Sequence, residues 1–263
     1  MNKFKWQNIY LWFMFAVLYL PIFYLIFYSF NAGNDMNRFT EFTLEHYTKV
    51  FEDSRLMIFI INTFILALLS ALIATVIGTF GAIMIYYFKK NTTRQTFLNL
   101  NNILMVTPDV MIGASLLMLF TFLLPIKLGF FSVLIAHVAF NIPIVVLMVL
   151  PRLYDMNDTM ITAAQDLGAN ARQIMGRVIL PSISSGIFAG FFMAFTYSLD
   201  DFAVTFFVTG NGFSTLSVEI YSRARHGISL EINALSTLMF LLSFVLVIGY
   251  YIIQTTEQRR KKR

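Results

Sequence analysis

Long apolar runs alternate with short polar stretches over almost the whole of this 263-residue chain. Six of the apolar segments are long enough to cross a hydrocarbon core, which requires roughly 20 helical residues. These segments are residues 9–30, 58–88, 98–124, 130–150, 186–208 and 234–254. Their lengths predict an all-α polytopic membrane protein with six transmembrane helices. Pro108 lies inside the third segment and is expected to kink its helix.

The polar stretches between these segments suggest how the chain is divided. We predict an N-terminal transmembrane helix with an outer loop over 1–56, a transmembrane core over 57–254 and a basic tail over 255–263. Two connections, 31–57 and 209–233, are long enough to hold short helices against the membrane. The largest polar connection on the other side is 151–185.

Composition supports a membrane protein and excludes several kinds of site. The chain is 58% hydrophobic and 13% charged, about half the charged fraction of an ordinary globular domain. A water-soluble fold would therefore lack the polar residues to cover its surface. Cysteine is absent, which excludes disulfides, thiolate metal ligands and thiol catalysis. The three histidines have no metal-ligand spacing, so no metal site is expected.

The distribution of positive charge predicts the orientation in the membrane. Of the 19 Lys and Arg residues, thirteen lie on the side of the N-terminus and six on the opposite side. Cytoplasmic loops carry the excess of Lys and Arg, so both termini and the connection 151–185 are predicted to be cytoplasmic. The basic run 259–263 is expected to sit at anionic lipid headgroups, and no nucleic-acid partner is expected.

The connection 151–185 contains a candidate docking helix. Asp158 is predicted to cap a helix over residues 159–174. At helical spacing Ala164, Leu167, Gly168 and Ala171 then share one face, and small side chains there let another backbone approach closely. The residues alone are equally compatible with an ordinary amphipathic surface helix.

The spacing within this connection resembles a known signature. Ala163-Ala164, three residues, Gly168, nine residues and then the segment 178–181 (VILP) resemble the loop of binding-protein-dependent permeases of ABC importers. Segments 62–63 (NT) and 107–109 (TPD) are also similar to that family, and the similarity runs from the second to the sixth predicted span. It implies a cytoplasmic coupling helix between spans 4 and 5 that seats on an ATP-binding subunit.

The resemblance assigns ATPase docking to a short set of residues, and one of them departs from the family. The set is Thr162, Ala163, Ala164, Asp166, Leu167, Gly168 and Ala171. The family usually has Glu where this chain has Thr162. We expect this change to remove one polar contact with the ATPase without removing the docking face, and Asp166 is the candidate to compensate.

Three acidic residues, Asp109, Asp200 and Asp201, fall inside apolar segments. A carboxylate at bilayer depth costs ~2.5–3.5 kcal/mol and normally faces a bundle interior or a water-filled path. Ser198, Asp201 and Thr205 would form one polar stripe along a continuous fifth helix, and Tyr197 would offer an aromatic face to a cation. The predicted substrate path is therefore Asp200, Asp201, Asp109, Tyr197, Ser198 and Thr205. The alternatives are a capping carboxylate at a broken helix and an acidic pair bonded to a partner subunit.

The cargo is suggested by charge and then by a narrower resemblance. Lys and Arg are missing from the middle of the spans, which argues against phosphate, sulfate or molybdate. Segments 197–202 (YSLDDF), 207–210 (FVTG), 219–222 (EIYS) and 231–237 (EINALST) resemble C-type permeases of spermidine/putrescine importers. This implies a polyamine importer subunit in a bacterial inner membrane.

The same resemblance implies a set of partners. They are a second, B-type permease, two ATP-binding subunits that carry ATP and Mg²⁺, and an extracytoplasmic polyamine-binding protein. This chain has no phosphate-cradling Gly-rich loop, so we expect it to bind no cofactor and to be no enzyme itself.

Two kinds of alternative remain open at this point. The nearer is a permease of the same superfamily that carries iron, thiamine or an amino acid. The more distant are a channel, which would not need the coupling signature, and a membrane-embedded hydrolase. For a hydrolase, His137 with Asn141 one turn later is the candidate, although an interhelical hydrogen bond is the simpler interpretation of this pair.

Overall fold

A computed structural model describes residues 6–33, 35–226 and 230–261, and the regular secondary structure in these ranges is helical. The helices are α1 (Trp6–Tyr28), α2 (Glu45–Glu52), α3 (Ser54–Tyr87), α4 (Asn91–Val106), α5 (Asp109–Met118), α6 (Phe130–Tyr154), α7 (Thr159–Asp166), α8 (Ala171–Ile174), α9 (Leu180–Ser182), α10 (Ser184–Asp200), α11 (Ala203–Val208), α12 (Leu216–His226) and α13 (Leu230–Lys261). π-Helical turns follow α5 (Leu119–Leu123) and α8 (Met175–Ile179). The predicted topological charges Lys3, Lys5, Lys262 and Arg263 lie outside the described residues.

The described helices form a membrane-type fold with four to six spans. Helices α1, α3, α6 and α13 are each long and apolar enough to cross a bilayer. Two further spans exist if each of two bent pairs is one span: Asn91–Val106 with Asp109–Leu123, and Ala171–Ser182 with Ser184–Asp200. The all-helical membrane fold is therefore confirmed. The count of six and the cytoplasmic termini stay predictions.

The expected kink in the third segment is present and sharp. Helix α4 ends at Val106, and the chain turns by 103° before α5 begins at Asp109. Pro108 lacks an amide hydrogen and its ring disfavours helical backbone at Thr107, which adopts ψ 131° instead. The result is an elbow that places Asp109 at the first position of α5.

The fifth segment is broken where a continuous helix was predicted over 186–208. Helix α10 ends at Asp200, and α11 begins at Ala203. The Asp201 carboxylate accepts hydrogen bonds from the backbone amides of Val204 (3.2 Å) and Thr205 (2.8 Å). A carboxylate that satisfies the first free amides of a helix favours a new helix start at that point. The prediction of an unbroken fifth helix was wrong for this reason.

The predicted docking helix over 159–174 is also divided. Helix α7 ends at Asp166, Gly168 adopts φ +77°, and Asn170 with Gln173 forms a capping box that starts α8. A left-handed residue ends a helix, and glycine adopts it without steric cost. Ala171 therefore does not continue the face formed by Ala164 and Leu167.

Helix α7 begins directly after Asp158, the predicted N-cap position, but the Asp158 side chain does not cap it. Asp158 has helical backbone angles and its side chain makes no capping hydrogen bond. The preceding residue takes that role, because Asn157 Oδ1 accepts hydrogen bonds from the Thr159 amide (3.0 Å) and hydroxyl (2.7 Å).

Two compact units make up the fold, and the first comprises residues 1–58 with 219–263. In its described part α13 packs against α1 and α2. Arg223 of α12 pairs with Asp53 and with Glu219, each at 2.9 Å. Helices α2 and α12 lie in the two connections where short helices were predicted. The linear division into 1–56, 57–254 and 255–263 stays a prediction.

The second unit, residues 59–218, is built around α6. Close packing is visible at two glycines: a Cβ at Gly190 of α10 would lie 3.2 Å from Val145 Cα, and one at Gly78 of α3 would lie 2.7 Å from Val145 Cβ. Both neighbours thus approach the α6 backbone more closely than larger side chains allow. An apolar core that includes Phe120 and Val133 fills one end of this unit.

Candidate functional site

A cavity of about 230 Å³ lies in the second unit between the α4–α5 elbow, α6 and α10. Its walls are mainly aliphatic, aromatic and methionine side chains. They include Met105, Asp109, Phe140, Met148, Met193 and Tyr197. Among the described residues that line it, Asp109 is the sole charged group. The cavity is therefore apolar with one acidic side chain.

The acidic end of this cavity is held by a hydrogen bond between two helices. The Tyr197 hydroxyl of α10 donates to Asp109 Oδ1 at 3.0 Å. Asp109 begins α5, where the helix dipole favours a negative charge. The Tyr197 ring packs edge-on against Phe140, with centroids 5.3 Å apart. A carboxylate next to aromatic faces is a common environment for binding alkylammonium groups.

Three of the predicted path residues lie instead in a buried polar network. Its centre is His137 of α6, which is fully buried. His137 Nδ1 lies 3.1 Å from Ser198 Oγ, and Nε2 lies 2.8 Å from Thr205 Oγ1 and 3.4 Å from Asp201 Oδ2. The Thr205 hydroxyl also donates to Asp201 Oδ2 at 2.7 Å. The network thus joins α6 to the broken α10–α11 segment.

Ser198 extends this network to a third helix. Its hydroxyl accepts a hydrogen bond from Asn141 Nδ2 (2.7 Å) and bonds Ser70 Oγ of α3 (2.9 Å). The sequence had indicated His137 and Asn141 as an interhelical hydrogen-bonding pair, and the structure shows both bonded to α10. Ser70 was missed, because a single Ser in a long apolar helix carries no spacing signal.

The structure therefore separates the six predicted path residues. Asp109 and Tyr197 line the cavity, whereas Ser198, Asp201 and Thr205 are buried in the network. Asp200 ends α10 and is exposed, outside the set of residues that line the cavity. The assumed stripe required an unbroken helix, and the break at Asp201 turns its members toward α6.

The network contains a serine, a histidine and an aspartate, which invites comparison with a hydrolase. His137 is 0% and Ser198 is 1% exposed, so no scissile bond can reach the serine hydroxyl. That hydroxyl is also engaged by Ser70 and Asn141. A nucleophile must contact both its base and its substrate. The arrangement fits helix-to-helix bonding, as the sequence had suggested for His137.

The predicted docking residues form a second candidate surface. Thr162, Ala163, Asp166, Leu167, Gly168 and Ala171 are exposed, and Ala164 is half-buried. Leu167, at the C-terminal end of α7, has an exposed fraction of 89%. One exposed leucine is unremarkable in a folded protein, but here it stands beside small residues at a helix end. This surface is accessible to a partner.

Comparison with known proteins places the chain in a family. The model for the binding-protein-dependent transport system inner membrane component matches residues 74–263. The chain belongs to this family. The permease is thus a multi-pass membrane protein of a transport system.

Two curated relatives and one solved structure show how far the similarity extends. The permease is 34% identical over 248 residues to the spermidine/putrescine transport system permease protein PotC of Haemophilus influenzae, covering 94% of this chain and 96% of the relative. It is 31% identical over 261 residues to the putrescine transport system permease protein PotI of Escherichia coli K12, covering 97% and 93%.

The solved structure is a bacterial ABC transporter involved in the import of the acidic polysaccharide alginate. It matches with a TM-score of 0.68 at 17% identity, covering 97% of the permease and 98% of the matched chain. At this identity the match shows the shared fold alone.

Proposed function

We propose that this chain is a permease subunit of an ATP-driven importer of polyamines of the spermidine/putrescine class. It forms half of the translocation pathway, and a second, B-type permease forms the other half. Support comes from the extent of similarity to PotC and PotI, which covers more than nine-tenths of both chains in each case. The importer resides in the inner membrane of a bacterium.

The cavity at Asp109 and Tyr197 is the observation that supports a polyamine as the cargo. A polyamine alternates ammonium groups with short methylene chains, and the cavity offers one carboxylate within apolar and aromatic walls. At about 230 Å³ it is smaller than the roughly 300–1,000 Å³ of pockets for drug-sized ligands, as suits a slender chain. An anionic cargo would meet the Asp109 carboxylate without a compensating cation among the described lining residues.

The remaining predicted path residues take different roles in this proposal. Asp200 is exposed at the end of α10 and accepts an ammonium group on the way to or from the cavity. Ser198, Asp201 and Thr205 act through the His137 network by fixing the position of Tyr197's helix. Weak and distributed contacts suit a transport path, since a tight site would retain its cargo.

Coupling to ATP is assigned to α7 and its flanking residues. The surface of Thr162, Ala163, Ala164, Asp166, Leu167 and Gly168, with Ala171 across the break, docks on one of two ATP-binding subunits. ATP and Mg²⁺ bind to those subunits, and this chain binds no cofactor. Closure of the ATP-binding pair moves α7 and switches the spans between inward- and outward-facing states.

The orientation in this proposal follows the distribution of Lys and Arg. Both termini and α7 face the cytoplasm. The connections 31–57 and 209–233 face outward, where an extracytoplasmic polyamine-binding protein delivers the cargo. Membrane lipid surrounds the exposed apolar faces of the spans.

Uptake in cells tests this proposal. The permease and its partner genes are expressed in a bacterium that lacks its own polyamine importers, and accumulation of radiolabelled putrescine and spermidine is measured. We expect energy-dependent uptake that excess unlabelled polyamine abolishes, while ferric iron, thiamine and amino acids do not compete. Competition by one of those compounds, or uptake no greater than in cells without the permease, would refute the polyamine assignment.

A further inference from the structure

The α4 helix carries a stripe of carboxamide side chains that has no partner among the described residues. Gln95, Asn99 and Asn102 follow the spacing i, i+4, i+7 and therefore share one face of the helix. All three residues are exposed. The side-chain hydrogen bonds that α4 makes within the described structure come from other positions, namely Arg94, Thr96 and Asn101.

The other two sides of α4 have an evident environment. One side lies against α6, where the Arg94 guanidinium stacks on the Tyr154 ring at 4.9 Å from its centroid and Asn101 Nδ2 donates to the Pro143 carbonyl at 3.4 Å. The other carries large, exposed apolar side chains that suit lipid: Phe97, Leu100, Ile103 and Leu104. The carboxamide stripe lies between these two sides.

Unpaired carboxamides at this place do not suit lipid. Asn99 and Asn102 lie in the apolar segment 98–124 that is predicted to cross the membrane. An amide in hydrocarbon without a hydrogen-bond partner is costly, so polar side chains inside spans face other protein or a water-filled path. Gln95 lies one turn nearer to the start of α4, toward the predicted cytoplasmic side. The stripe therefore needs water, a polar ligand or another subunit against it.

The stripe leads to the cavity at the elbow. Met105, which lines that cavity with Asp109, is three residues after Asn102, about 4.5 Å further along the helix axis. The carboxamides thus form a row from the first turns of α4 to the last turn before the cavity. A water-filled path that continues from Asp109 toward the cytoplasm accounts for their exposure.

The chemistry of the row suits a cation in transit. Carboxamide oxygens accept hydrogen bonds from ammonium groups and carry no net charge. Arg94, the sole basic residue of α4, is held over Tyr154 on the α6 side, away from the stripe. Conduction requires sites that attract a cation enough to admit it but release it again. A row of neutral acceptors meets this requirement better than a row of carboxylates.

We infer that Gln95, Asn99 and Asn102 line the cytoplasmic half of the cargo path and accept the ammonium groups of the polyamine after Asp109. This inference rests on the proposed function, which identifies the cargo as a polyamine. It assigns the cargo a route along α4 that none of the predicted path residues provides.

Thiol labelling of the assembled complex in lipid nanodiscs tests the path. The chain has no cysteine, so each single variant adds one thiol, and the mass of this chain alone reports its modification. The stripe variants are Asn99→Cys and Asn102→Cys, and the controls are Leu100→Cys and Ile103→Cys on the apolar side. Leu100 and Ile103 are 56% and 58% exposed, so the controls are not shielded by the chain itself. The probe is a methanethiosulfonate that carries an ethylammonium group, which is cationic and dissolves in water.

We expect the thiols at positions 99 and 102 to react several-fold faster than the controls, and saturating spermidine to slow them. Sodium chloride at the same ionic strength should not slow them, which separates occupancy from screening. Stripe thiols that react no faster than the controls would place the stripe against lipid or a second permease and overturn the inference. Equal protection by spermidine and sodium chloride would overturn it as well.

Uptake provides a second readout. The double variant Asn99→Leu with Asn102→Leu removes both acceptors and should lower the rate of polyamine uptake by about tenfold, as expected for losing a hydrogen bond to a charged group. Asn99→Gln with Asn102→Gln keeps the carboxamides and should retain most of the uptake. Equal uptake by the two double variants would contradict the inference while leaving the proposed function intact. Absence of polyamine uptake by the unsubstituted complex would instead refute the proposed function, and the inference with it.

Discussion

The neighbouring carboxylates Asp200 and Asp201 should respond very differently to truncation. Asp201 is 9% exposed and accepts three hydrogen bonds, from the amides of Val204 and Thr205 and from the Thr205 hydroxyl. Asp200 is exposed at the end of α10. The two residues are therefore a matched pair, identical in chemistry and adjacent in sequence, that separates a structural carboxylate from a surface one.

The size of the effect follows from those contacts. Asp201→Ala leaves three donors without their acceptor, at about 1–3 kcal/mol each if they stay buried. Removal of a buried carboxylate also recovers part of its desolvation cost, which is several kcal/mol per ion. After subtraction of this recovered desolvation energy from the cost of the unpaired donors, we expect Asp201→Ala to lower the free energy of unfolding by about 2–4 kcal/mol. Asp201→Asn should cost less, because asparagine retains one acceptor and caps helices well.

Thermal unfolding of the detergent-purified protein, followed by intrinsic fluorescence, measures this prediction. At about 2–4 °C per kcal/mol for a chain of this size, Asp201→Ala should lower the Tm by on the order of 5–10 °C. Asp201→Asn should lie between this variant and the unsubstituted protein. Asp200→Ala should leave the Tm unchanged and reduce only transport.

Two results would contradict a structural role for Asp201. If Asp200→Ala and Asp201→Ala lower the Tm equally, the buried network does not carry the difference. If Asp201→Ala keeps its Tm but loses transport, Asp201 contacts the cargo directly, as the sequence alone had suggested.

Three further predictions concern other parts of the chain. Asp109→Asn should keep the hydrogen bond from Tyr197 and leave the Tm unchanged. It should nevertheless reduce polyamine uptake at least tenfold, because it removes the charge of the cavity. Unchanged uptake would exclude Asp109 from the path. Gly168→Val forces a β-branched residue into φ +77° and should weaken co-purification of the ATPase. The control Gly176→Val, at a position where an added Cβ meets no neighbour, should leave co-purification unchanged. Equal effects of the two variants would argue against docking at the end of α7. The guanidinium of Arg223 lowers the pKa of Asp53 below its ordinary value of 3.8. The ionised carboxylate therefore stabilises the fold above pH 3.8, and this contribution is lost as the pH falls through the lowered pKa. Asp53→Asn should flatten the acid limb of a plot of Tm against pH, and an unchanged limb would contradict this ion pair's role.

The long apolar helices and the elbow at Pro108 were predictable from local chemistry. Runs of about 20 apolar residues specify helices because the bilayer leaves backbone groups no other partner. Pro108 specified the elbow, since proline cannot continue the hydrogen-bond ladder. The pair His137 and Asn141 was likewise correctly interpreted as interhelical, because polar side chains one turn apart in an apolar helix face a neighbouring helix.

The helix break at Asp201 and the division of the site were not predictable in this way. Apolar residues continue from α10 through α11, and the one local signal, the Asp201 carboxylate that caps α11, is equally compatible with a residue that lines a substrate path. The contact between Tyr197 and Asp109 joins residues 88 positions apart, and it exists only because the elbow turns α5 toward α10. The break therefore has a local signal that fits two interpretations, whereas the contact between Tyr197 and Asp109 depends on long-range packing, which a single sequence does not encode at any one position.

The break at Gly168 shows a different limit. Glycine is tolerated inside a helix at a cost of about 1 kcal/mol, so its presence alone does not end one. Here the following Asn170 and Gln173 form a capping box, and the two signals together stop α7 and start α8. Gly168 and the Asn170–Gln173 capping box, taken together, indicate the end of the docking helix, whereas neither signal does so alone.

The polyamine assignment is tested most directly by transport with purified components. The permease is co-purified with its partner permease and ATP-binding subunits, reconstituted into liposomes, and supplied with binding protein and radiolabelled spermidine or putrescine. We expect accumulation that requires ATP and falls strongly with Asp109→Asn while the complex remains intact. Accumulation of neither polyamine by an intact, ATP-hydrolysing complex would contradict the assignment.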